Sequence, residues 1–216
     1  MPRKILVRTS ELPYHITNRS NNREHFYLEK DALWTICLEC LYETKIQFKT
    51  EVHAFVLMSN HYHLLISTPQ ANIGEAMKYF HREVARKANR SVGRINHFFG
   101  GRYQWSLINS PEYFWNAVKY VFRNPIRAGI CQRAEDYEFS SLNRNPKKWT
   151  WQMTDFFLDR YKAVELCINW LNEPFHGEKE ALIKRALRRR EFKPPRNQKL
   201  HAEVFGAQLY KKGTVT

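Results

Sequence analysis

Two imidazoles one residue apart, His61 and His63, sit inside an otherwise apolar run, VLMSNHYHLLIS, from Val56 to Ser67. On a strand, residues two apart face the same side, so the histidines project together and Tyr62 turns away. Neutral imidazoles held side by side can chelate one divalent cation when each has an orienting partner. The same spacing also suits a structural pair or chance surface placement, and His-x-His alone does not choose. Tyr120 and Asn124 form a second pair. Their spacing of four puts them on one face of a helix, with Tyr113 and Ala117 continuing the stripe. An amide oxygen is a neutral, hard donor suited to Mg²⁺ or Mn²⁺. The plainer alternative makes Tyr120 an aromatic packed on a sheet and Asn124 a C-terminal cap.

Charge narrows the partners. The 216 residues carry 35 Lys and Arg against 21 Asp and Glu, a net +14, so the surface attracts polyanions. Nucleic acid comes first and an anionic membrane second. Lys184, Arg185, Arg188, Arg189 and Arg190 cluster within two turns, followed by Lys193, Arg196 and Lys199. Such a cluster binds phosphates with little sequence preference. Leu182, Ile183, Ala186 and Leu187 make only a short apolar stripe, which docks the helix on the protein rather than on lipid. Arg19, Arg23 and Arg102 are candidate DNA contacts near the histidines. Trp149 and Trp151, interleaved with Lys147 and Lys148, either stack on bases or pack the C-terminal segment. His53, His81 and His97 read as scaffold. With no signal peptide and no apolar run of about 20 residues, the chain is expected to be soluble and cytoplasmic, with no membrane partner. Its four cysteines do not suggest a disulfide framework, and Cys37-x-x-Cys40 reads as buried packing.

The elements that must position these residues follow from periodicity. A strand from Tyr14 to Thr17 runs into a polar Asn/Arg loop, then a helix with Asp31 as N-cap. Two strands flank a tight turn at Ser59-Asn60. A second helix runs from Ile73 to before Gly93, and a strand over QWSLINS follows. The third helix starts with Ser110 as cap and Pro111 in its first turn, and Pro125 marks its end. The order β-α-β-β-α-β-α predicts an α+β fold: a ferredoxin-like split β-α-β sandwich with an antiparallel sheet. A C-terminal helical appendage follows it. Residues 1–142 form the main body and 143–216 the appendage with its basic helix and tail. No phosphate loop or dinucleotide fingerprint occurs, so no nucleotide cofactor is expected.

The chain is identified as a member of a known group by ordered motifs. VLMSNHYHLLIS resembles the His-hydrophobic-His segment of the HUH single-tyrosine transposases, the IS200-like superfamily. YVFRNPIRAGI, Tyr120 to Ile130, is similar to the Tyr-x-x-x-Asn-Pro segment of one branch, the REP-associated tyrosine transposases. YHITNRSNNRE at Tyr14, HFFGGRYQ at His97, AEDYEFSSL at Ala134 and the basic IKRALRRREF also match. The resemblance runs from about Tyr14 to Leu142 and resumes at the tail. It departs at Tyr62, where an aliphatic residue is commoner, and in the NRSNNRE loop, which lacks the usual glycine. It implies metal ligands at His61 and His63, a third ligand at Asn124, and a nucleophile at Tyr120. It further implies Mg²⁺ or Mn²⁺, single-stranded or hairpin DNA as partner, and a 5′-phosphotyrosine intermediate in nicking and joining. A monomer is favoured over a dimer. The alternative is a domesticated protein that binds repeat DNA without cutting it.

Overall fold

The computed structural model describes residues 5–95, 97–143 and 168–192. Four strands, β1 (Tyr14–Arg19), β2 (Glu51–Leu57), β3 (His61–Ser67) and β4 (Gln104–Leu107), form an antiparallel sheet in the order β2-β3-β1-β4. With helices α1 (Lys30–Phe48) and α2 (Ile73–Ser91) in the crossovers, this is the expected split arrangement. Helices α3 (Pro111–Phe122), α4 (Asn124–Arg127), α5 (Ile168–Asn172) and α6 (Lys179–Ala186) follow.

Strand alternation divides the sheet into two faces. Tyr14, Ile16, Tyr62, Leu64 and Ile66 pack with Trp34 of α1 and Phe80 of α2, and Trp34 stacks on Phe55 at 5.4 Å. Cys37 and Cys40 are buried free thiols in this layer. Ala54, Val56 and Leu65 point the other way, into a core shared with α3, α5 and α6. His15, His61 and His63 alternate onto this second face. A register shift between Val52 and Ala54 lets β2 bury Val52 and Phe55 on the first face and Ala54 on the second.

Both edges of the sheet are covered. Ser140 bridges to Val56 of β2, and Leu57 N–H donates to Phe139 O. At β4, Leu107 N–H donates to Arg190 O, and Phe192 N–H donates back to Leu107 O. The described part of the C-terminal segment therefore shares a core with the sheet. As expected, Leu182, Ile183, Ala186 and Leu187 are its buried docking stripe. Arg123 fastens α5 to the body: its guanidinium donates to the carbonyls of Leu171 and Asn172 at 3.2 and 2.6 Å. Arg123→Met is expected to lower the unfolding free energy by about 1–3 kcal/mol, the worth of charge-assisted bonds less the cost of an Nε that has no partner among the described residues. Urea denaturation measures this, and an unchanged midpoint would show the fastening to be idle.

Three boundaries differ from expectation. Glu29, not Asp31, holds the N-cap position of α1, and Asp31 lies in the first turn. The last strand stops at Leu107, and Ser110 Oγ accepts from Tyr113 N–H as the cap of α3. Pro125 does not end helical structure. α3 closes at Phe122, and Pro125 sits in the opening turn of α4, where its missing N–H costs nothing. Among the described residues no helix is long and apolar enough to cross a membrane.

Candidate functional site

β3 begins at His61, straight after the Ser59-Asn60 turn, which Met58 N–H closes by donating to His61 O. The His61 and His63 rings lie side by side, 5.1 Å between centroids and nearly perpendicular. Each has its own holder. His61 Nδ1 meets Asn60 Oδ1 at 2.7 Å, and His63 Nδ1 meets His15 Nε2 at 2.9 Å. Burial, and then the nearby Arg127 guanidinium, pushes His61 down from 6.5 to about 4. Burial first, then His15, His61 and Arg127, holds His63 well below its ordinary range. Burial takes His15 to about 3. All three rings are therefore neutral at neutral pH, the state in which imidazole binds metal.

Tyr120 comes from α3 and packs edge-on to this group. Its ring is perpendicular to that of His63 at 5.8 Å and to that of His15 at 6.3 Å. The Arg127 guanidinium carbon lies 4.9 Å from the Tyr120 ring centroid. Asn124 sits behind them. Its amide nitrogen donates to the carbonyls of Tyr120 at 2.8 Å and Val121 at 3.3 Å, capping α3, and its oxygen accepts from Arg127 at 2.5 Å. The plainer role for Asn124 is thus the one its hydrogen bonds fill here.

Around the histidines and Tyr120 opens a cleft of about 720 Å³. Every charged side chain lining it among the described residues is cationic. Arg19, Arg23 and Arg102 stand in it with Arg127, and Lys184 and Arg188 reach it from α6 and the turn beyond. Two devices aim the first group. Asn22 and Arg23 both take left-handed backbone (φ 53 and 62), the conformation glycine adopts most readily, in the loop that lacks the usual glycine. Gly100 packs so tightly against β1 that a Cβ there would lie 2.8 Å from Ser20 O, which clips the loop bearing Arg102 to the strand end.

The structure thus gathers His61, His63, Tyr120, Arg19, Arg23, Arg102, Lys184 and Arg188 in one cleft. Asn124 does not line it, and Arg185, Arg189 and Arg190 point to solvent elsewhere. Trp149, Trp151, Lys147, Lys148, Lys193, Arg196 and Lys199 lie outside the described residues. His53, bonded to Ser67 Oγ, and His81, bonded to Tyr62 Oη and Met77 O, serve the scaffold. Sequence reasoning missed His15, Asn60 and Arg127. Arg127 is three residues beyond Asn124, so continuing the helical spacing past Pro125 would have found it.

The donor set fits a divalent cation at the histidine pair: two neutral imidazoles, each fixed through Nδ1, with Nε2 the remaining ring nitrogen. Among the described residues no cluster of three His, Cys, Asp or Glu side chains could hold a metal. The rest of a coordination shell would fall to oxygen donors such as water, a phosphate or an amide.

Fold and site together define an antiparallel α+β protein in which a helix-borne tyrosine meets a His-x-His pair inside a cationic cleft. The model of the IS200-like transposase family matches residues 8–124, more than half of the chain, and the chain belongs to that family. A REP-associated tyrosine transposase of Escherichia coli (strain K12) is 23% identical over 112 residues, 49% of this chain. The match spans 66% of that relative, just short of two thirds of its length. The solved structure of a REP-associated tyrosine transposase bound to a REP hairpin shares the fold. Its TM-score is 0.57 at 18% identity, covering 69% of this chain and 92% of that one.

Proposed function

We propose that this protein nicks and rejoins single-stranded DNA at palindromic repeat hairpins, with Tyr120 as nucleophile. The observation that carries this is the placement of Tyr120 against His63 in an all-cationic cleft. The solved relative's REP hairpin supports a hairpin substrate. Once deprotonated, Tyr120 Oη attacks phosphorus. The Oη–P bond forms, the P–O3′ bond breaks, and the departing 3′ oxygen takes up a proton. A 5′-phosphotyrosine and a free 3′-hydroxyl result. Attack by the 3′-hydroxyl of another strand reverses the step, and the retained bond energy makes ATP unnecessary.

His61 and His63 would hold Mg²⁺ or Mn²⁺, which when bound polarises the scissile phosphate and offsets charge in the transition state. Asn124 Oδ1 is a third candidate ligand, available once Arg127 turns from it to a phosphate. The Arg127 guanidinium suits that task, with donors matched to phosphate oxygens. Tyr120 faces the histidines of its own chain, which supports action by a monomer.

Labelled hairpin DNA incubated with the protein and Mn²⁺ tests the proposal. The expected result is a protein–DNA adduct that survives denaturation. The second reading, a repeat-binding protein that does not cut, draws on Asn124 being held by Arg127. Tight, metal-independent hairpin binding with no cleavage on any hairpin would establish it instead. The cleft geometry also separates the basic residues of the C-terminal segment. Lys184→Ala with Arg188→Ala is expected to flatten the log–log salt dependence of single-strand binding by about 1.4, two phosphate contacts' worth. Replacing Arg185 and Arg189, which point away from the cleft, should change it less. Anisotropy titrations across a salt series read both.

A further inference from the structure

We infer that His15 is a positioning residue for His63: a buried hydrogen-bond partner that fixes the ring so that Nε2 is the nitrogen presented to the cleft. This rests on the reading of His61 and His63 as a cation site and deepens it.

Thr17 of β1 is the residue opposite His63, so His15 is its diagonal neighbour on the same face. The two rings stack at 5.1 Å, inclined by 24°, with Nε2 of His15 and Nδ1 of His63 2.9 Å apart. Between two neutral imidazoles one nitrogen donates and the other accepts. For His63 to offer a bare Nε2 to a cation, its proton must lie on Nδ1, and His15 Nε2 must accept it. His15 then carries its own proton on Nδ1.

That nitrogen is buried and has no partner among the described residues. An unmet buried polar atom costs stability, and a side chain present only to fill space would be better served by an apolar group. Among the described residues the polar ring makes a single hydrogen bond, and that bond goes to His63. His61 is held differently, by the half-exposed Asn60 at the turn. The two histidines thus have unequal supports, one rigid and interior and one at the surface.

The test is Mn²⁺ titration of the DNA-free protein, followed by electron paramagnetic resonance. His15→Phe keeps a ring of similar size and loses the acceptor. It is expected to weaken Mn²⁺ binding by about 10–100-fold. His15→Gln, whose amide oxygen reaches as far as Nε2, should restore affinity close to that of the natural protein. Adduct formation by His15→Phe should recover when Mn²⁺ is raised to saturation, since a positioning residue affects loading and not attack. A folded His15→Phe that binds Mn²⁺ as the natural protein does overturns the inference and leaves the cation site standing. A natural protein that binds no Mn²⁺ removes the cation site and this inference with it. Should His15→Phe fail to fold, His15→Gln against His15→Asn decides. The shorter amide cannot reach His63 and should bind weakly, and equal affinities for the two overturn the inference.

Discussion

Tyr120→Phe is expected to bind hairpin DNA as the natural protein does and to form no covalent adduct. Its strand-cleavage rate should fall by at least about 10⁴-fold, the scale seen when an enzyme loses its nucleophile. The separation of binding from chemistry follows from the packing. Phenylalanine keeps the ring that lies edge-on to His63 and His15 and under the Arg127 guanidinium. Only the hydroxyl is lost, and the cations lining the cleft stay in place. Denaturing gels on end-labelled DNA measure the adduct, and anisotropy measures binding. A Tyr120→Phe protein that still forms the adduct would move the nucleophile elsewhere. Tyr62, the tyrosine between the two histidines, is a poor second candidate. It is buried on the opposite face of the sheet, with its hydroxyl bonded to His81.

The residues legible from sequence are those whose partners lie on the same element. Strand alternation alone separates His61 and His63 from Tyr62, and the first-face core containing Tyr62 agrees. The docking stripe of α6 follows from spacing of three and four in the same way. What escaped depends on contacts between distant segments. His15 meets His63 across 48 residues, through a β1–β3 register that no local pattern sets. Periodicity also does not reveal how one amide divides its two ends. Asn124 lies one turn from Tyr120 as the spacing requires, yet its nitrogen is used on α3 carbonyls and its oxygen on Arg127. Likewise, the density of the basic cluster does not tell Lys184 and Arg188, in the cleft, from Arg185 and Arg189, outside it. That distinction needs the docked orientation of α6.

Acid is expected to unfold this protein in a window set by its buried and half-buried histidines. In the folded state burial holds His15 neutral down to about 3, and His61 and His81 down to about 4. In the unfolded chain the same groups titrate near 6.5. Between those limits the unfolded chain binds more protons, so stability is complete above about 6.5 and falls as pH drops towards 4. Each of these histidines contributes up to about 1.4 kcal/mol per pH unit in that window. His15 and His81 together reach about 2.7 kcal/mol per unit, large against a total stability of about 5–15 kcal/mol. Carboxylates act later. Glu83 and Glu135, held below 4.5 by their arginine and asparagine partners, lose their contributions only as pH falls through that lower range. Urea midpoints at a series of pH values measure the slope, and His15→Phe should flatten it, because that variant has one proton fewer to take up on unfolding. An unchanged slope would show that burial of His15 is not what sets acid sensitivity. Activity should track the same curve. Burial holds His61 neutral down to about 4 and His63 well below its ordinary range, so neither protonates in the folded protein near 6.5. Cleavage should then fall with the far-ultraviolet circular dichroism signal, without the separate step that an exposed imidazole titrating near 6.5 would produce.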